Sequence, residues 1–322
     1  MEIPFVTFLP MEKELEDDLR GAFDRVFTRS WYIEGVEDEA FEKAFAEYCG
    51  AKYCVGVGNG LDALMLSLKA LGICEGDEVI VPSNTYIATA LSVTYVGSTP
   101  VFVEPDIRTF NINPALIEAA ITEKTKAIMP VHYAGLSVDL DPIYEIAKAK
   151  NLRVIEDAAH AIGSDYKNTK VGSCKYSDMT VFSFHPVKTI TTCEGGAVTT
   201  NDEELYKKLC AFRAHGMHKD GDMTNDWRYE MRELGYNYRM TDVQGAMGLA
   251  QIKKLDTIIE IKREAAKTYN DIITATLPEF IIPVETDGYY HTYQSYVCML
   301  NLRKLGLSDI AEGGRFRNTL LQ

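Results

Sequence analysis

The stretch Tyr53-Cys54-Val55-Gly56-Val57-Gly58-Asn59-Gly60-Leu61-Asp62-Ala63-Leu64 decides how this chain is built. Its first five residues form a short apolar run. A glycine-rich turn follows, and helical spacing then runs from Leu61 to Leu71. A strand that passes through such a turn into a helix opens an α/β unit. The alternation continues downstream. Short apolar runs at 78–82, 100–103, 127–131, 153–156 and 179–184 read as strands, and stretches such as 114–120 and 142–150 read as helices. Strands this continuously apolar fit a mostly parallel sheet covered by helices on both faces.

Upstream, residues 12–28 have helical spacing, with Leu15, Leu19, Phe23 and Val26 on one face. Residues 31–35 read as a turn and 37–48 as a second amphipathic helix. After Gly196 comes Ala-Val-Thr-Thr, then a helix beginning near Asp202. Residues 218–226 form a polar loop, and one long helix is expected over 242–267. Short strands at 280–284 and 293–300 suggest a smaller α+β domain. The expected division is 1–250 for a large domain with its N-terminal helices and 251–322 for the small one. Residues 314–322 read as the opening of a helix with no C-cap, so the small domain is expected to be incomplete.

The 322 residues suggest about two domains. A hydrophobic share of 46% and a charged share of 25% fit a soluble globular chain and argue against disorder. Lys+Arg 33 against Asp+Glu 47 leaves a net charge of −14. A nucleic-acid partner calls for the opposite balance. An anionic small substrate stays open, because local cations can outweigh net charge. No apolar run reaches the roughly 18 residues of a membrane span, and the start lacks a signal peptide's basic and apolar regions. The seven cysteines form no CxxC pair and read as reduced thiols of a cytoplasmic protein. No histidine pair has metal-ligand spacing with carboxylates, so no metal is expected. His132 reads as a packed strand-end residue, His215 and His218 as solvated, and His291 as the residue before a small-domain strand.

Three stretches could carry chemistry. The turn at 56–61 leaves free backbone N–H groups at a helix start, which suits a phosphate. It is neither a Rossmann fingerprint nor a P-loop, and a plain tight turn explains it equally well. Glu156-Asp157 ends a buried strand, where open α/β sheets place ligand contacts. A buried carboxylate needs a cationic partner, either structural or a ligand's protonated nitrogen. Third, Ser183-Phe184-His185-Pro186-Val187-Lys188 carries a strand into a loop that ends at Gly195-Gly196. A lysine with a lowered pKa there could form a Schiff base. Phosphate cup, anion and amine, in that order on one α/β unit, are what a pyridoxal phosphate site requires.

On these residues the chain resembles the nucleotide-sugar aminotransferases of the DegT/StrS group. The resemblance runs from about Ile3 to the end. Its most specific parts are Glu156-Asp157-Ala158-Ala159-His160, Ser183-Phe184-His185-Pro186-Val187-Lys188 and Gly235-Tyr236-Asn237-Tyr238-Arg239-Met240-Thr241-Asp242. It implies the fold type I architecture, with a seven-stranded, mostly parallel sheet between helices and a smaller C-terminal α+β domain. It implies pyridoxal 5'-phosphate held as an internal aldimine on Lys188. Asp157 matches the carboxylate on the pyridine nitrogen, and His160 a neighbour of the cofactor's phenolic oxygen. Tyr86 matches the ring that stacks on the cofactor. Gly60 and Leu61 match the phosphate turn, with Ser183 adding a hydroxyl. Asn237 matches a residue that reaches the phosphate from the other subunit, which implies a homodimer with shared sites. His185 and Glu194 match positions near the sugar.

The implied activity is transfer of an amino group, from glutamate as donor, to a keto group of a nucleotide-linked deoxysugar. Residues 59–64 and 31–33 resemble members that aminate a 3-keto sugar. His160 and His185-Pro186-Val187-Lys188 resemble members acting at C4, and C4 is favoured because these residues surround the lysine. A sugar dehydratase of the same fold carries histidine in place of Lys188. A non-catalytic sensor on this fold would have lost Lys188, Asp157 or the phosphate turn. An amino-acid aminotransferase would need a small-domain arginine such as Arg303, Arg315 or Arg317. The family's Thr-Gly-Glu-Gly-Gly stands here as Thr192-Cys193-Glu194-Gly195-Gly196. A positive φ at Cys193 would cost about 1 kcal/mol. Arg108, Arg213, Arg228 and Arg239 are candidate contacts for the substrate diphosphate.

Overall fold

The computed structural model describes residues 9–218 and 230–320. Helices α1 (Leu9–Arg29) and α2 (Val36–Cys49) lead into β1 (Tyr53–Val57). Next come α3 (Gly60–Ala70), β2 (Glu78–Pro82), α4 (Ile87–Tyr95), β3 (Thr99–Val103), α5 (Pro114–Ala120) and β4 (Thr125–Ile128). The alternation goes on through α6 (Leu140–Lys150), β5 (Arg153–Asp157), the hairpin β6 (Asp165–Tyr166) and β7 (Thr169–Lys170), then β8 (Met179–Ser183), β9 (Gly196–Thr200) and α7 (Glu203–Arg213). Strand β10 (Met217–His218) pairs with β11 (Glu230–Met231), ahead of α8 (Asp242–Ile252) and α9 (Leu255–Thr276). The last described elements are β12 (Phe280–Ile281), β13 (Tyr289–Tyr290), β14 (Met299–Leu300) and α10 (Ile310–Leu320).

Seven strands form the central sheet, in the order β1-β9-β8-β5-β4-β2-β3. All pairs are parallel except those of β9, which runs against both β1 and β8. Six strands therefore point their carboxyl ends to one edge, where open α/β sheets bind ligands. Both faces are covered, as the apolar runs imply. Along β1, β8 and β9 the residues Val55, Val181 and Val198 pack into one core cluster. Their neighbours Cys54, Phe182 and Ala197 pack into another, with Phe41 and Phe45 of α2 and Leu255 and Ile259 of α9. Among the described residues no helix is long and apolar enough to cross a membrane.

Three expectations need correction. On α1 the buried stripe is Leu15, Ala22 and Val26, whereas Phe23 is 52% exposed and stacks on Phe27. The single helix over 242–267 is two helices, broken where Lys254 leaves helical geometry (φ −110, ψ 4). Burial of Ile252 and Leu255 on either side continues the apolar period, which hides the break in sequence. The strands at 280–284 and 293–300 shrink to two residues each; Tyr293 takes φ 46, outside strand geometry, and lies flat on His291, with centroids 3.9 Å apart. Strand β13 joins the β6–β7 hairpin. Most of the polar loop at 218–226 lies outside the described residues.

Candidate active site

The end of β1 and the start of α3 make the first wall. Asn59 caps α3, its side chain accepting the N–H of Asp62 at 2.9 Å. The helix starts at Gly60, so the N–H groups of Gly60 and Leu61 are left over from its internal bonding. The absence of side chains here is a packing demand. A Cβ on Gly60 would stand 2.9 Å from the Cβ of Ser183, and one on Gly196 would stand 2.4 Å from the carbonyl oxygen of Asn59. The turn, the end of β8 and the start of β9 thus share one close-packed corner, with the Ser183 hydroxyl against the helix start.

Strand alternation separates the two acids that end β5. Glu156 is enclosed, with its carboxylate on Nε2 of His132 at 2.9 Å, Ser177 at 2.5 Å and Thr180 at 3.2 Å. His132 is fully buried, and its Nδ1 accepts the N–H of Val138, so Glu156 and His132 form a structural pair. Asp157 lies on the other side of the strand and is equally buried. Among the described residues its carboxylate accepts only neutral donors: the Thr89 hydroxyl at 2.8 Å and the Ala159 N–H at 3.1 Å. Tyr86, the cap of α4, presents a ring that is 76% exposed, one helical turn before Thr89.

Lys188 lies in the loop between β8 and β9. Among the described residues its Nζ has no hydrogen-bond acceptor, though Asp157 is close enough to favour its charge. Burial outweighs that attraction and pulls the Lys188 pKa below the ordinary lysine value. His160 is pushed down to about 4, first by burial and then by the positive charge of Lys188. Its Nδ1 accepts the N–H of Ala134 at 3.3 Å, so the neutral ring carries its proton on Nε2. Turn, acid, histidine and amine therefore converge from four points of the sequence.

The loop that carries Lys188 is held by α8. Gln251 pairs with the backbone of Thr191, and Gln244 donates to the carbonyl of Glu194 at 2.6 Å. Cys193 takes φ 69, the left-handed geometry in question. The side chains of His185 and Glu194 are exposed; Glu194 raises the carboxyl of Asp62, which reaches about 6 mainly through burial. Asn237 is exposed and accepts two hydrogen bonds from Arg239, at 3.0 and 2.8 Å. Arg213 is no free contact: it is bound to Glu42 and to the carbonyl of Gly56. Arg108 is exposed beside Asp106, and Arg228 lies outside the described residues. His215 is exposed as expected, while His291 is buried. Thr89, Gln244 and Gln251 escaped the sequence reading. The only signal for Thr89 was its spacing from Thr85, four residues apart around Tyr86.

The chain is similar to known proteins along most of its length. The model of the DegT/DnrJ/EryC1/StrS aminotransferase family matches residues 13–311. A dTDP-3-amino-3,6-dideoxy-alpha-D-galactopyranose transaminase of Aneurinibacillus thermoaerophilus is 44% identical over 311 residues, covering 96% of this chain and 82% of that protein. A GDP-perosamine synthase of Caulobacter vibrioides is 51% identical over 229 residues, 71% of this chain and 60% of that protein. Among solved structures, DesV of S. venezuelae in complex with a ketimine intermediate superposes with TM-score 0.87 at 35% identity, covering 94% of this chain and 79% of that one. A putative sugar aminotransferase of Streptococcus pneumoniae in its PMP form gives 0.84 at 29% identity, covering 95% and 84%.

Proposed function

Because the chain belongs to the DegT/DnrJ/EryC1/StrS aminotransferase family, we propose that it is a pyridoxal 5'-phosphate-dependent nucleotide-sugar aminotransferase. Its donor is glutamate and its acceptor the C4 keto group of a nucleotide-linked deoxysugar. The observation that carries this reading is the pairing, beside an open helix start, of an amine with a buried carboxylate, neither of which has an oppositely charged bonding partner among the described residues.

These residues fit the cofactor. The free N–H groups of Gly60 and Leu61 and the Ser183 hydroxyl would hold a phosphate. Asp157 would hold a proton on a ring nitrogen, and Tyr86 would cover a ring face. Bound there, the cofactor supplies an aldehyde and an electron-withdrawing ring. Lys188, whose pKa burial lowers, would take a proton from one carbon and return it to another. His160 stays neutral at physiological pH and offers an Nε2–H donor without adding charge. Glu194 and His185 are exposed and would be available to an entering sugar.

A homodimer is part of the proposal, with Asn237 serving the partner's phosphate site. Phe23, Phe27, Trp31, Tyr32 and Ile33 are all exposed, and such an apolar surface suits burial against a second copy. The division into 1–250 and 251–322 belongs to the proposal too, supported by the break between α8 and α9. A second reading, amination at C3, is favoured by the name of the Aneurinibacillus relative, a 3-amino-sugar transaminase. The dehydratase and sensor readings have the intact lysine, acid and turn against them.

The purified protein should absorb in the visible when loaded with pyridoxal phosphate and lose that band on addition of glutamate. A 4-keto nucleotide sugar should then restore it. Recovery with a 3-keto sugar alone moves the reaction to C3. No change with any amino donor sinks the catalytic reading.

A further inference from the structure

Hydroxyls on helices commonly turn back on their own backbone. Ser67 on α3 bonds the carbonyl of Ala63 at 2.8 Å, and Thr94 on α4 bonds that of Ala90 at 3.2 Å. Thr89, on the first turn of α4, does not. It is 1% exposed and sends its one proton across 68 positions of sequence to Oδ2 of Asp157. Its oxygen stands 2.7 Å from the Thr85 hydroxyl. Since the Thr89 proton is committed to Asp157, Thr85 must be the donor of that second bond. The result is a directed chain, Thr85 to Thr89 to Asp157, with Tyr86 between the two threonines.

The adjoining acid shows what is unusual here. Glu156 has an imidazole beside it, whereas Asp157 has a hydroxyl and an amide. Two of about four acceptor positions of the Asp157 carboxylate are thus filled by neutral donors, and the others remain for a ligand. Bonds from two sides fix the plane of the carboxylate and so the direction in which its free lone pairs point.

We propose that Thr89, backed by Thr85, is a positioning residue that keeps the Asp157 carboxylate oriented so that its free lone pairs meet a proton on the ligand's ring nitrogen. This rests on the cofactor reading above, and the test separates the two. Apo-enzyme is titrated with pyridoxal phosphate and with its 1-deaza analogue, which has a carbon in place of the ring nitrogen. The readout is the ratio of the two dissociation constants.

Wild type should prefer pyridoxal phosphate. Thr89→Val should reduce that preference about tenfold, the worth of one hydrogen bond to a charged group. Thr89→Ser keeps the hydroxyl and should stay within about twofold of wild type. Thr85→Val should give a loss between the two and keeps the idea testable if Thr89→Val does not fold. Equal weakening of both ligands by Thr89→Val, or a Ser variant that behaves like the Val variant, overturns the proposal. A wild type that binds neither ligand, or shows no preference, overturns the cofactor reading instead.

Discussion

Gln251 treats Thr191 as one strand treats its neighbour. Its Nε2 donates to the carbonyl of Thr191 at 2.5 Å, and its Oε1 accepts the N–H of the same residue at 3.1 Å. The amide is 1% exposed, so water cannot replace either bond without opening the contact. Two net hydrogen bonds of about 1 kcal/mol each, plus stranded backbone groups, set the scale. Gln251→Leu should lose about 2–3 kcal/mol in urea unfolding with an unchanged m-value. A loss below about 0.5 kcal/mol would mean that α8 does not hold the lysine loop.

Lys188 should stand apart from the chain's other lysines in reactivity. Burial disfavours its ammonium form, and the attraction of Asp157 only partly offsets this. A lowered pKa means more neutral amine at pH 7–8, and the neutral amine attacks aldehydes. Borohydride trapping with limiting pyridoxal phosphate should label Lys188 first, read by peptide mapping. Lys188→Ala should remove both the label and all turnover. A label spread evenly over surface lysines, or visible absorbance at normal intensity in the variant, refutes the assignment.

The parts of the site that announced themselves in sequence are local ones. Residues 53–60 form a strand and turn whose glycines are demanded by neighbours a few ångströms away, and Asp157 and Lys188 sit at strand ends that apolar runs delimit. What stayed hidden depends on distant partners. Arg213 read as a free cation, but its carboxylate is Glu42, 171 positions earlier. Thr89 sits in a helix without a motif, and its meaning comes from Asp157. Direction is hidden too: nothing in Gly196-Ala-Val-Thr-Thr says that β9 runs against its neighbours, because an apolar strand pairs either way. The break before α9 has no Gly or Pro to mark it.

Cys193 carries a measurable strain. At φ 69 its Cβ crowds the backbone, at a cost of about 1–2 kcal/mol. Glycine removes that cost but loosens the unfolded chain by about 0.4–1 kcal/mol. Cys193→Gly should therefore gain about 0.5–1 kcal/mol, visible as a higher Tm. Cys193→Val, β-branched, should lose more than about 1 kcal/mol. A destabilised glycine variant would show that the thiol's contact with Met247, at 3.9 Å, matters more than the backbone.

The final prediction concerns the acids around Arg213. Asp38 is 2% exposed and pushed up to about 8, first by burial and then by Glu42, with Asp242 and Glu34 adding and Arg213 opposing. One oxygen each of Asp38 and Asp242 is buried without a hydrogen-bond partner. In the unfolded chain Asp38 titrates near 3.9. Between about pH 4 and pH 8 the folded state thus holds a proton that the unfolded state has released. Stability from this group falls as pH rises through that window and is level above it. Asp38→Asn removes the titration. Its stability advantage over wild type in urea unfolding should be near zero at pH 4.5 and grow steadily to pH 8.5, reaching at least about 1 kcal/mol. A pH-independent difference would mean that Asp38 shares its proton with Glu42 or Asp242 in both forms of the protein.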